Sequence, residues 1–224
     1  MLSVFHPCMK GLFITFEGTE GCGKSTQVKL LAECLRQLGH TVRVTREPGG
    51  TPIGEEIRHT LKHSPHNHAM TAEAELLLMN ASRAQLVREI IRPALAAGEI
   101  VLCDRFYDST TAYQGHGRGL DSRYVREIIE FAVGPTRPDL TLFLHVPQAV
   151  SEERRASRNA ATGAVRDRFE EADRAFFERV EAGFLAIAAA EPHRVKLITA
   201  TAAIPAVSEQ IWALVAPLVA EKTV

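Results

Sequence analysis

The chain has no excess of positive charge, no long apolar run and no paired cysteine motif, and each of these gaps closes off a class of protein. Its 26 Lys and Arg against 27 Asp and Glu give a formal net charge of -1, so nothing draws the whole chain to a polyanion and no nucleic-acid partner is expected. The apolar stretch from Leu12 to Phe16 is far too short to span a bilayer, and the first residues lack a basic start followed by a long apolar segment. Neither a membrane partner nor a secretory leader is expected. The four cysteines, Cys8, Cys22, Cys34 and Cys103, form no C-x-x-C pair and no metal-ligand spacing, which suits a reducing, cytoplasmic setting. Repeats and low-complexity linkers are also missing. At 224 residues, 46% of them hydrophobic, the chain is expected to form a loose tail over 1–9 and a single domain over 10–224.

What is present is an alternation of strands and helices. Gly11 to Glu17 is a mostly apolar run ending at glycines, as a strand buried on both faces requires. A helix follows from Lys24 to Leu38, with Val28, Leu31, Leu35 and Leu38 at helical spacing and Gly39 as its stop. Thr41 to Thr45, Ile100 to Cys103, Leu140 to Val146 and Val195 to Thr199 read as further strands. Helices are expected over 54–62, over 72–97 with a bend near Pro93, from about Phe169 to Ala190, and from Ile204 to Val219. Such alternation predicts an α/β fold with a parallel sheet covered on both faces.

Between the first strand and the first helix stands Gly18-Thr19-Glu20-Gly21-Cys22-Gly23-Lys24-Ser25, which fits G-x-x-x-x-G-K-[ST] in the context that motif needs. Its glycines let backbone N–H groups converge on phosphate oxygens, and the helix start adds partial positive charge. Lys24 is placed to bridge the terminal phosphates of a nucleoside triphosphate, and Ser25 to ligate Mg²⁺. Thr26 completes the phosphate-binding stretch. The loop alone does not name the acceptor. A guanine-reading N-K-x-D and a D-x-x-G switch are both absent. Ile100 to Asp104 ends in a carboxylate able to hold the Mg²⁺ directly or through water, and Arg105 follows at once. A cation beside that carboxylate points to an anionic substrate next to the metal.

Several strings together resemble the thymidylate kinase family: KGLFITFEGTEGCGKST, TREPGGTPIGEEIR, ASRAQLV, DRFYDSTTAYQG, RPDLTLFL and DRFEEADRAFFERV, spread over nearly the whole chain. The resemblance implies a P-loop kinase fold with a five-stranded parallel sheet, a mobile lid, a homodimer, and transfer of the ATP γ-phosphoryl group to dTMP. It implies that Glu20 lies near the acceptor sugar and the metal. Arg58, Arg83 and Arg105 would contact the acceptor nucleotide, Arg105 its phosphate; guanidinium forks suit phosphate oxygens bidentately. The resemblance also implies that Glu47 and Pro48 of the TREPGG string would fall in the acceptor pocket. Thr110 and Gln114 would read the thymine ring, with Ser109 and Tyr113 alongside, and Gln114 can both donate and accept across an imide edge. Met79 stands where many bacterial relatives place a phenylalanine that stacks on thymine. His145 and Thr199 stand where aspartates are common.

The polar stretch from Arg154 to Arg168 carries five arginines around Asn159 to Gly163 and reads as a loop between helices, matching the family's lid over 154–168. Some relatives carry a catalytic arginine inside the phosphate loop, where this chain has Gly21. The lid is then expected to supply that charge through Arg158 and Arg168, with Arg154 packing on adenine. Lys24, Arg105 and Glu20 complete the expected catalytic set. A kinase for another nucleoside monophosphate or for a deoxynucleoside is the alternative reading, one that would keep every phosphate contact and change only the base pocket.

Overall fold

The computed structural model of the chain describes residues 11–162, 168–169 and 173–221, apart from the side chains at 158, 159, 161 and 162. The tail expected over 1–9 lies outside them. Five strands, β1 (Leu12–Glu17), β2 (Val42–Arg46), β3 (Ile100–Asp104), β4 (Leu140–His145) and β5 (Val195–Thr199), form one sheet in the order β2-β3-β1-β4-β5, every pair parallel. β1 is central and wholly buried. Because successive side chains point to opposite faces, Leu12, Ile14 and Phe16 pack under α1 (Lys24–Gln37) and α9 (Ile204–Glu221), while Phe13 packs on the other side. That other layer holds α3 (Ala72–Leu86), α4 (Arg92–Ala96) and α6 (Ser122–Val133).

The helix expected over 54–62 is α2 (Pro52–His63), which starts earlier because Thr51 caps it, its hydroxyl accepting from Gly54 N at 3.0 Å, and because Pro52 suits a first turn. The long helix expected over 72–97 is broken: α3 passes through a π-helical turn at Val87–Ile91 into α4, just ahead of Pro93, which has no N–H to give and crowds the carbonyl four residues back. Two helical segments extend the alternation read along the chain. One is α5 (Tyr107–Thr110) with its π-helical continuation Thr111–Gly117, and the other is α6, capped by Asp121 and stopped at Gly134.

The lid segment also differs from the loop expected. α7 (Gln148–Thr162) carries it as helix through residue 162, in keeping with its Ala, Arg and Glu content. The helix expected from Phe169 is α8 (Arg174–Ala190), which starts later because Asp173 caps it by accepting from Phe176 N at 2.7 Å.

α8 lies tightly on the 111–117 segment. A Cβ at Gly117 would stand 2.6 Å from Phe176 Cε2, and one at Gly183 would stand 2.8 Å from the His116 ring. Glycine on both surfaces permits this approach, which encloses Tyr113, Phe143, Phe176 and Phe184 in a third apolar cluster. Gly117→Ala is therefore expected to destabilise the protein by about 1–3 kcal/mol through overpacking, read as a lowered urea midpoint with an unchanged m-value.

Candidate active site

In a parallel sheet whose strand order reverses, ligands bind outside the carboxyl ends of the strands at the reversal. Here β1 lies between β3 and β4, and its carboxyl end opens into the phosphate loop. A cavity of about 830 Å³ lies there. Its wall takes in Glu20 to Gln27 of the loop and α1, Asp104 and Arg105 from the end of β3, and Arg154 from α7. It continues along Glu47, Pro48, Arg58, Met79 and Arg83 to Ser109, Thr110, Tyr113 and Gln114. Gly18 and Thr19 stand behind this wall, where their carbonyls accept from Lys24 Nζ at 3.0 and 2.9 Å.

The loop backbone follows from its glycines: Gly18, Gly21 and Gly23 have φ of 136°, 80° and 99°, values that side chains rarely tolerate. At Gly21 the neighbours forbid a side chain as well. A Cβ there would lie 2.8 Å from Ser151 O and 3.3 Å from Arg155 Cγ, because the first turn of α7 packs on the loop. Ser151 Oγ donates to Glu20 O at 2.5 Å and fastens the contact. The glycine where some relatives place an arginine is thus a packing requirement of this chain.

Arg105 organises the middle of the cavity. Its Nη2 donates to Glu20 Oε2 at 2.7 Å and to the Tyr113 hydroxyl at 3.3 Å, its Nη1 donates to Ser109 Oγ at 3.0 Å, and its guanidinium lies 5.1 Å from the Tyr113 ring centroid. Its φ of 71° is the one positive value at a described non-glycine residue, a strain of the kind that collects at functional positions. Burial acts to raise the Glu20 carboxyl, but Arg105, Lys24 and Lys62 outweigh it and hold the group ionised well below the usual carboxylate range. Ser25 Oγ donates to Asp104 Oδ2 at 2.9 Å, so the two expected metal ligands already meet. Hydroxyl and carboxylate oxygens are the hard donors Mg²⁺ prefers, with substrate phosphates and water as its remaining ligands.

At the other end, Arg83 is 2% exposed and locked: Nε donates to Glu47 Oε2 at 2.8 Å, Nη1 to Asn80 Oδ1 at 2.8 Å and Nη2 to Phe106 O at 3.2 Å. Burial pushes the Glu47 carboxyl up to about 6 against the pull of Arg83. Arg58 Nη1 donates to Pro48 O at 2.9 Å. Met79 lines the cavity and also packs against the third apolar cluster, so it joins both surfaces.

The lid arginines divide. Arg154 lines the cavity and donates to Ala200 O at 3.1 Å. Arg158 has its side chain outside the described residues. Arg168 does not line the cavity. Its guanidinium is held by Glu75 and by Met70 O, because a buried carboxylate without counter-charge would be far costlier than this pairing. His145 also stays apart, on Glu181 Oε1 at 2.5 Å, and Thr199 ends β5 in an exposed position.

Two supporting carboxylates escaped the sequence reading. Glu75 shares a helix face with Met79 and Arg83 by i, i+4, i+8 spacing, a signal that was legible. Glu17 closes an apolar strand with a charge, and is fully buried. Its Oε1 accepts from Phe106 N at 2.8 Å and its Oε2 from Ser109 Oγ at 2.5 Å, so it holds the hydroxyl that in turn holds Arg105.

A phosphate loop on a β2-β3-β1-β4-β5 sheet, with a hydroxyl–carboxylate pair at the loop's end and arginines across one cavity, defines a P-loop phosphotransferase. The thymidylate kinase family model matches residues 16–211, and the chain belongs to that family. It is 49% identical over 201 residues to a thymidylate kinase of Syntrophotalea carbinolica, spanning 89% of this chain and 93% of that protein. It is 52% identical over 189 residues to one of Geobacter sulfurreducens, spanning 84% and 88%. The crystal structure of an Ehrlichia chaffeensis thymidylate kinase aligns with a TM-score of 0.73 at 34% identity, over 92% of this chain and 98% of that one.

Burial, with Asp108 adding to it, pushes the Glu17 carboxyl up to about 8. A raised acid gives stability that is complete below its unfolded value and lost as pH climbs through the folded one. The melting temperature of the protein, measured relative to that of Glu17→Gln, is expected to fall between pH about 4.5 and about 8 and then level off. A difference that stays flat across that range would contradict the assignment.

Proposed function

We propose that this chain transfers the γ-phosphoryl group of ATP to dTMP, giving dTDP and ADP and feeding dTTP synthesis. One observation carries the reading. A single cavity of about 830 Å³ joins a phosphate loop to a pocket lined by Arg58, Met79, Arg83 and Gln114, with the Glu20–Arg105 ion pair of 2.7 Å at the junction. Membership of the thymidylate kinase family supports the choice of acceptor.

The acceptor's phosphate oxygen attacks the γ-phosphorus in line, and ADP leaves from the opposite side. No covalent bond to the protein forms, so catalysis is positioning and charge stabilisation. Lys24 exchanges the carbonyls of Gly18 and Thr19 for phosphate oxygens, and the loop N–H groups bind the donor's phosphates. Ser25 and Asp104 hold Mg²⁺, which when bound neutralises phosphate charge. Arg105 turns its guanidinium to the acceptor phosphate, and Glu20, held ionised, receives the sugar hydroxyl. Thr110 and Gln114 read the base over Met79, with Glu47, Pro48, Arg58, Arg83, Ser109 and Tyr113 shaping the pocket. Arg154 packs on the adenine. Among the lid arginines, Arg158 stands one turn beyond the cavity-lining Arg154 on α7 and serves the transferring group, and Arg168 joins it by exchanging Glu75 for phosphate. Lid closure over 154–168 excludes water, which otherwise competes as acceptor.

The active species is a homodimer in this reading, consistent with an exposed Leu77 on α3 and an exposed Phe131 on α6. The compartment is the cytoplasm, consistent with free Cys22, Cys34 and Cys103 and with the lack, among the described residues, of any helix long and apolar enough to cross a membrane.

Initial rates with dTMP, dUMP, dCMP and thymidine test the assignment: dTMP is expected to give the highest kcat/KM, and any other ranking first would end it. Arg105→Ala should lower kcat/KM for dTMP by about a hundredfold or more, as loss of a charge-stabilising donor does.

A further inference from the structure

We propose that Glu75 sets the base preference of the acceptor pocket by fixing which end of the Gln114 amide faces the cavity, a proposal that rests on the acceptor reading above. Glu75 sits on α3 with no exposed surface and does not itself line the cavity. Its Oε1 accepts from Gln114 Nε2 at 2.8 Å and from Arg118 Nε at 3.2 Å. Its Oε2 accepts from Arg118 Nη2 at 3.0 Å and from Arg168 Nη1.

All these neighbours are donors. An ionised carboxylate can only accept, so it takes the nitrogen end of whichever amide lies against it. Gln114 is 1% exposed and lines the cavity, and with Nε2 committed to Glu75 its Oε1 is the amide end left toward a base. No donor among the described residues engages that oxygen.

The chemistry of the base follows. A pyrimidine imide carries an N–H between two carbonyls and matches an amide oxygen. Cytosine carries a bare ring nitrogen at the same place, so an acceptor would meet an acceptor and both would be buried unsatisfied. Glu75 touches no substrate; it is a positioning residue acting through Gln114.

Glu75→Gln reverses the arrangement without changing the side chain's shape. Arg118 Nη2 at the former Oε2, joined there by Arg168 until that arginine exchanges to phosphate, claims the new amide oxygen, leaving the new NH₂ against Gln114 and only the longer Arg118 Nε contact opposed. Gln114 then turns its oxygen to residue 75 and its nitrogen to the cavity, where it donates to a cytosine ring nitrogen.

The experiment compares kcat/KM for dTMP, dUMP and dCMP in the wild-type chain, Glu75→Gln and Glu75→Asp. The preference for dTMP over dCMP is expected to fall about tenfold or more in Glu75→Gln, as one misplaced hydrogen bond implies, and to persist in Glu75→Asp. The ratio of dTMP to dUMP should not move, since both bases share the imide edge. Simple loosening of the fold would lower all three acceptors together, and that outcome overturns the proposal. A wild-type chain that does not favour dTMP overturns the functional reading; one that does, with an unchanged ratio in Glu75→Gln, overturns this proposal alone. Should Glu75→Gln show no cooperative melting, side-chain amide exchange of Gln114 in the glutamine-labelled wild-type protein decides. Slow exchange with and without dTMP is expected, and fast exchange refutes the buried donor.

Discussion

The Glu20–Arg105 ion pair fixes the relation between the two halves of the cavity. Glu20 belongs to the loop that leaves β1, and Arg105 to the residue that leaves β3 with a φ of 71°. A carboxylate inside a cradle for phosphates works against the ligand unless a cation holds it, and here Arg105 at 2.7 Å and Lys24 at 3.8 Å both do. The pairing also pre-aims two cations at the junction, so less ordering is left for the moment of substrate binding. Arg105 is itself supported from below through Ser109 and Glu17, which ties the strained backbone of one strand end to the core position of its neighbour.

Much of this was legible before any coordinates. The phosphate loop followed from glycine spacing, and the sheet from five short, mostly apolar runs, each bounded as read to within a residue. Ser25 was assigned to the metal by the phosphate-loop motif and Asp104 by closing an apolar strand, and they meet at 2.9 Å. Helix α6 carried its own punctuation, Asp121 before and Gly134 after an apolar stripe at Val125, Ile129 and Ala132, and was there to be found.

What could not be read is where tertiary partners override local composition. The residues from Arg154 to Thr162 are polar enough for a loop, yet their helix propensity and the packing of α7 on Gly21 make them helix. Arg168 looked like a free cation because its counter-charge, Glu75, lies 93 residues earlier in the chain. Sequence displays the cations of a site plainly; it hides which buried acids already hold them.

Three such acids define how the pocket is built. Glu17 sets Ser109 and through it Arg105, Glu47 locks Arg83, and Glu75 gathers Gln114, Arg118 and Arg168. A hydroxyl or an amide in these places would both donate and accept, leaving its neighbours a choice of orientation. An ionised carboxylate removes that choice, since only donors can face it. Guanidinium groups pair with Glu47 and Glu75, though burial still carries the Glu47 carboxyl up to about 6, and at Glu17 burial and Asp108 drive it up to about 8. Glu17 is therefore an acid whose support of Arg105 changes character within the physiological range.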